Sequence, residues 1–173
     1  MAESSSHHGA EAAQPNFDQL SQSRRDLLDV SQQLFREFHP QPGVLGDLPQ
    51  ITVEPAAILR VCRLAKDDPG LDFKLLLCQT AVDYLERIQM VYFLHSLDHE
   101  QTLVVKTDVP YDALRLPSVT SVWHAAEWYE REAHDLFGVE FEGHPDLSPL
   151  LLYEEFEGYP GRKEYPFYEY QEF

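Results

Sequence analysis

SVTSVWHAAEWYEREAHDLFGVEFEGHPDLSPLL, residues 118–151, is the stretch on which the fold turns. Val122, Ala126, Tyr129, Ala133 and Leu136/Phe137 recur at steps of three and four, which predicts one apolar face of an amphipathic helix. The polar face then carries Glu127, Glu130, Arg131, Glu132, His134 and Asp135. Glu127 to Arg131 and Arg131 to Asp135 are opposite charges four residues apart, worth about 0.2–0.5 kcal/mol each when exposed. Gly138 stops the helix, because the residue just past a helix end often takes a positive φ that glycine adopts without strain. Val139 and Phe141 alternate with Glu140 and Glu142, so a short extended piece follows. Gly143-His144-Pro145-Asp146 reads as a turn.

Working outward, 173 residues with 43% hydrophobic content suit one globular domain with a real core. No apolar run approaches the roughly 20 residues of a membrane span, and no secretory leader opens the sequence, so a cytosolic protein is expected. Cys62 and Cys78 lack a CxxC spacing and sit in apolar stretches, as buried small hydrophobes do. The net charge of −17 would repel a phosphate backbone, which argues against nucleic acid as a partner. An acidic surface fits solubility or a saline cytosol, and also fits a basic partner.

Residues 1–16 have no periodicity and read as a mobile tail, in which His7-His8 carries no metal-site signal. Leu27, Val30, Leu34 and Phe38 keep helical spacing over 17–38, with Asn16 as the N-cap and Pro40, Pro42 and Gly43 as the stop. Residues 44–53 are extended. Pro55 opens a second helix whose Ile58, Val61/Cys62 and Leu64/Ala65 face inward, and Asp67-Asp68-Pro69-Gly70 closes it. Strands are expected at 73–82, 88–96 and 103–109, with connections short enough for an antiparallel meander. The order implies an α+β fold: a two-layer domain over 17–151, with helices covering a mostly antiparallel or mixed sheet.

The remaining segment, 152–173, holds eight aromatic residues from Tyr153 to Phe173, broken by Gly158, Pro160, Gly161 and Pro166. An irregular segment cannot bury eight rings against itself. Aromatics with arginine are enriched at interface cores, so an extended partner-binding tail is expected. The alternative is a tail folded back on its own domain.

Candidate chemistry is sparse. Glu130 and His134 share a helical face and His144 and Asp146 lie on the next turn, but zinc or di-iron chemistry needs three or more converging ligands. No HExxH helix, phosphate loop, dinucleotide fingerprint, nucleophile elbow or cysteine cluster is present. Interlaced charges on a solvated or partner-facing helix explain these residues as well. No active site, metal or cofactor is expected in the chain.

Glu130-Arg131-Glu132, Asp135, Gly138, Gly143-His144-Pro145 and the Leu150-Leu151 pair also resemble the signature of the 30 kDa subunit family of respiratory complex I. Pro117-Ser118-Val119, Trp123, Ala126, Trp128 and Tyr129 fit the same family, as does Arg162-Lys163-Glu164-Tyr165-Pro166, so the match runs from about residue 51 to 166. The resemblance implies a non-redox subunit of the peripheral arm of NADH:quinone oxidoreductase, resting on the 49 kDa quinone-site protein and neighbouring iron–sulfur subunits. FMN and the clusters would lie in those other subunits, and membrane association, on the cytoplasmic face, would come only through the complex. It casts Glu130, Arg131, Glu132, Asp135, Gly138, His144 and Pro145 as interface elements, with Arg162, Lys163, Tyr165 and Phe167 as tail anchors. Three positions depart from the pattern: Ser148 for arginine, Gly161 for leucine before Arg-Lys, and His134 for an aromatic or aliphatic residue. The first removes one expected partner salt bridge and the second implies a looser tail anchor. Two other readings remain: the equivalent subunit of a ferredoxin- or F420H2-dependent complex or a membrane-bound hydrogenase, and, more distantly, a metal-dependent hydrolase using Glu130, His134 and His144.

Overall fold

Alternation of apolar and polar residues sets the sheet. In the computed structural model, which describes residues 16–166, it has five strands in the order β1-β2-β5-β4-β3. The expectations for residues 1–15 and for Phe167 and the rest of the C-terminus lie outside the described residues. Strands β3 (Leu75–Asp83), β4 (Arg87–Ser96) and β5 (Gln101–Pro110) form the expected antiparallel meander. Strand β3 begins two residues later than expected, because Asp72 takes a positive φ of 49° and turns the chain. The extended region before them is a hairpin, β1 (Gln41–Leu45) and β2 (Leu48–Thr52), turned at Gly46 with φ 62°. Strand β2 then pairs in parallel with β5, Ile51 facing Val105, which makes the sheet mixed.

Helices α1 (Gln22–Leu34) and α2 (Ile58–Asp67) send Leu27, Leu28, Ile58, Val61, Cys62 and Ala65 into one core with Ile88, Met90, Tyr92, Leu94, Leu103 and Val105 of the sheet. Complete burial of the leucine, isoleucine, valine and methionine side chains among them contributes about 1.5–3 kcal/mol each. The first helix is shorter than the expected 17–38: a 3-10 turn precedes it, where the Asn16 side chain accepts the Asp18 N–H at 3.1 Å, and another follows at Arg36–Phe38. Pro55 opens a 3-10 turn that runs into α2.

The third helix, α3 (Ala126–Phe137), starts later than the periodicity implied. Val122 and Trp123 lie in the turns before it, both buried, and the Trp123 indole N–H donates to Phe73 O at 3.2 Å. Gly138 ends α3 as expected, with φ 72°. A second small sheet follows, in which β7 (Glu140–Glu142) pairs in parallel with β6 (Arg115–Pro117), burying Leu116, Val139 and Phe141. Helix α3 packs beside the edge strand β3, where the Tyr129 hydroxyl donates to Leu77 O at 2.9 Å next to a β-bulge. A side-chain donor on an edge carbonyl and a bulge both blunt an edge that could otherwise pair with another chain. Among the described residues, no helix is long and apolar enough to cross a membrane.

Candidate functional site

Helix α3 holds three neighbouring segments, and the charged residues singled out above do the holding. Glu130 is the correction with the largest consequence. It does not lie on a solvated face but is fully buried. Its carboxylate accepts the Ser118 hydroxyl at 2.6 Å and the Val119 N–H at 2.7 Å, tying the chain before α3 to the helix. Burial pushes its carboxyl up to about 7, against the hydrogen bonds from Ser118 and Val119 that pull it down.

Arg131 and Asp135 face outward one turn apart and grip the segment after the turn. Arg131 donates to Ser148 O at 3.0 Å, Ser148 Oγ at 3.2 Å and Pro149 O at 2.9 Å, and its guanidinium lies 5.4 Å from the Trp128 ring centroid. One Asp135 oxygen accepts the N–H groups of Leu150, Leu151 and Leu152 at 3.2, 2.7 and 2.9 Å. The expected Glu127–Arg131 and Arg131–Asp135 ion pairs are not formed, because Arg131 and Asp135 are spent on backbone instead. Ser148, where arginine was expected, is thus an acceptor for Arg131 within the chain.

His144 completes this grip. Its Nε2–H donates to Glu127 O at 3.1 Å and its Nδ1 accepts the Asp146 N–H at 3.0 Å, which fixes one neutral tautomer. Asp146 accepts the Ser148 N–H at 2.9 Å, and that bond comes first among those holding its carboxyl below the usual range. Pro145 lies exposed in the turn between, and Glu132 is exposed on α3.

The C-terminal segment, through Pro166, packs on its own domain. Gly138, where any Cβ would stand 2.5 Å from Tyr159 Cζ and 2.7 Å from Arg162 Nη2, leaves the room for it. Gly161 donates its N–H to Leu136 O at 2.9 Å, and the Arg162 side chain donates from Nε to Phe137 O at 2.9 Å, satisfying carbonyls at the helix end. The Arg162 guanidinium also lies over Tyr159, 4.3 Å from the centroid, and over Tyr111 at 5.0 Å. Gly161 was expected to loosen the anchor. Within the chain it permits a close approach to the end of α3, where a Cβ would meet Phe137 Cζ at 2.8 Å and Leu136 O at 2.9 Å.

Lys163 donates its backbone N–H to Asp83 at 2.7 Å. Burial pushes the Asp83 carboxyl up, but the N–H groups of Lys163 and Leu85 outweigh it and hold it below the ordinary range. Tyr165 stacks on Phe156 at 6.0 Å. Of the residues that matter here, sequence reasoning missed the gripping role of Ser118 and Asp83. Neither carries a local signal, since Ser118 meets Glu130 across a turn and Asp83 meets Lys163 eighty residues on.

The structure does not bring the hydrolase set together. Glu130 points into the core, His134 Nδ1–H donates to Val139 O at 2.9 Å, and both ring nitrogens of His144 are engaged elsewhere. Among the described residues, no group of three His, Cys, Asp or Glu side chains could hold a metal ion. What the arrangement does chemically is hold backbone.

An Arg131→Ala chain tests that reading of the grip. It loses three bonds to residues 148–149, each worth about 0.5–1.5 kcal/mol net and less for the exposed ones. Amide exchange over 148–152 is expected to accelerate while the global melt moves by less than about 3 °C, roughly 1 kcal/mol for a chain of this size. Unchanged exchange there would refute it.

A family model described as "Respiratory-chain NADH dehydrogenase, 30 Kd subunit" matches residues 51–171. A NADH-quinone oxidoreductase subunit from Coxiella burnetii (strain RSA 493 / Nine Mile phase I) is 37% identical over 160 residues, 72% of this chain and 70% of that protein. The corresponding NADH-quinone oxidoreductase subunit from Rhodobacter capsulatus is 40% identical over 151 residues, 85% of this chain and 75% of its own length. Among solved structures, a chain of the membrane-bound sulfane sulfur reductase, an archaeal respiratory membrane complex, aligns with TM-score 0.68 at 29% identity, covering 82% of this chain and 86% of that one. The trypsin-resistant fragment (1-134) of Nqo5 aligns with TM-score 0.54 at 30% identity, covering 72% of this chain and 99% of the fragment.

Proposed function

Because the chain belongs to the 30 kDa subunit family of respiratory-chain NADH dehydrogenases, we propose that it is a non-redox structural subunit in the peripheral arm of a proton-translocating NADH:quinone oxidoreductase. In that role it braces the 49 kDa protein that forms the quinone site, at the cytoplasmic face of the membrane. Electrons travel through FMN and iron–sulfur clusters held by other subunits. One observation carries the reading: the charged residues of the signature hold backbone segments in place, Glu130 at 118–119, Arg131 and Asp135 at 148–152. Shape is what these residues supply. The domain over 17–151 then offers the rigid body and 152–173 the strap, which Arg162 and the Lys163 N–H dock on its own domain and which meets the partner through the Lys163 side chain, Tyr165 and Phe167.

The likeness to a chain of the sulfane sulfur reductase favours one second reading, the equivalent subunit of a related complex with another donor or acceptor, such as ferredoxin or F420H2. Isolating the native complex, identifying its subunits by mass spectrometry and assaying its electron donors separates the two.

Truncation after Leu151 tests the strap. It removes the Gly161, Arg162 and Lys163 bonds to Leu136, Phe137 and Asp83. At about 0.5–1.5 kcal/mol each, the melt is expected to fall by roughly 5–10 °C but to stay cooperative with an unchanged far-UV circular dichroism shape. The truncated chain is expected to lose co-purification with the 49 kDa-like partner. Incorporation into active complex at normal yield would overturn the strap.

A further inference from the structure

Trp128, Leu151 and Tyr153 are among the most exposed large apolar residues of the described chain, at 59, 60 and 68% exposure. All three belong to α3 or to the segments it grips. The Arg131 guanidinium covers one face of the Trp128 ring and leaves the other open. The Leu151 N–H is pinned on Asp135, which keeps its side chain on the outer side of the segment. Tyr153 leans edge-on against Phe156, 5.4 Å between centroids, on the rim of a cavity of about 120 Å³ that also touches Asp135, Pro149 and Leu152. Single exposed apolar residues are ordinary, but several held on one gripped surface mark an interaction site.

Charge identifies the occupant. Glu132, Glu154, Glu155 and Glu157 are exposed on the same elements, and none has an ion-pair partner among the described residues. Residues 1–15 and 167–173 contain no lysine or arginine to meet them. A second copy would bring another net charge of −17. What fits is a segment of another protein in which apolar side chains are flanked by Lys or Arg, the apolar part meeting the Trp128 and Tyr153 rings and the cations meeting the glutamates.

We propose that Trp128, Leu151 and Tyr153, rimmed by Glu132, Glu154 and Glu155, form a docking surface for a basic, apolar segment of a partner protein. The proposal rests on the subunit reading above and assigns the chemistry of one contact within it.

The experiment uses the full-length, affinity-tagged chain expressed in its native host. A photo-crosslinking phenylalanine analogue at position 151 is expected to couple to another protein of the redox complex, at a peptide with Lys or Arg beside apolar residues. Trp128→Ala combined with Leu151→Asp is expected to cut co-purified complex at least tenfold while the melting temperature of the free chain stays within about 2 °C, because both side chains are exposed. Glu154→Lys with Glu155→Lys, both exposed, is expected to cut it as well, and association of the wild type is expected to weaken as NaCl rises. Crosslinking to a second copy or to the chain's own ends overturns the surface, as does normal assembly of both variants beside an assembling wild type. A wild-type chain that brings down no redox complex overturns the subunit reading and the surface with it.

Discussion

A Glu130→Gln chain is expected to be more stable than the wild type at pH 8.5 and to lose that advantage by pH 5. The buried carboxyl titrates near 7 in the folded protein, above its ordinary value of 4.5, so the folded state holds the proton more tightly than the unfolded chain does. The stability this lends is fully present below pH 4.5 and is lost as the pH rises through 7. At about 1.4 kcal/mol per unit, the wild type gives up roughly 3 kcal/mol across that window. Glutamine keeps the shape, still accepts the Val119 N–H, and does not titrate. Other carboxylates contribute alike to both chains, so the difference between the two urea-unfolding free energies isolates this group. Parallel stability curves from pH 5 to 8.5 would sink the assignment. Glu130→Ala, by contrast, strands the Val119 N–H in the core and opens a cavity there, while the Ser118 hydroxyl keeps Thr120 as a partner. It is expected to cost about 3 kcal/mol at pH 5, where the wild-type carboxyl is neutral and hydrogen-bonded.

Gly138→Ala is the second large effect. Alanine at φ 72° costs about 1–2 kcal/mol in backbone strain alone. Its Cβ would also enter the Tyr159 ring and the Arg162 guanidinium, so residues 159–162 must leave the end of α3. Losing the Gly161 and Arg162 bonds to Leu136 and Phe137 adds about 0.5–1.5 kcal/mol each. Gly143→Ala is the matched control: its φ is also positive, at 84°, but nothing lies within 4 Å of the added carbon. Gly138→Ala is expected to lower the melt at least twice as far as Gly143→Ala and to expose the Gly161 amide to exchange. Equal losses in the two variants would show that the close approach has no energetic weight.

The meander was legible because β3, β4 and β5 are local, apolar and joined by short turns. The stop at Gly138 was legible because a positive φ has a residue type attached to it. Glu130 shows where reading by residue type misleads. It stands four residues after Ala126 and three before Ala133, both buried, so the helical period places it on the inner stripe. Its charge argued for water, and the Ser118 and Val119 donors that outweigh that argument come from a turn whose path the sequence does not display. Arg131 and Asp135 were placed outward correctly but paired with each other, since spacing along a helix reveals neighbours on that helix and not the backbone of a returning loop. The parallel pairing of β2 with β5 had no local signature either, because no connecting turn announces it.

That pairing orders events in time. Residues 50–52 find their partners only at 104–106, so the first half of the chain waits for β5 before the sheet can close. Contacts so distant in sequence form late, after the meander has gathered locally. Helix α3 and the loop it grips are synthesised later still, and they settle against a β3 edge that the meander must already have made. A chain leaving the ribosome therefore shows Trp128 and Leu151 in their final setting only when the meander has formed and α3 has settled on its β3 edge. On the docking surface proposed above, a partner would meet only chains whose meander and α3 are in place, which would make assembly its own inspection step.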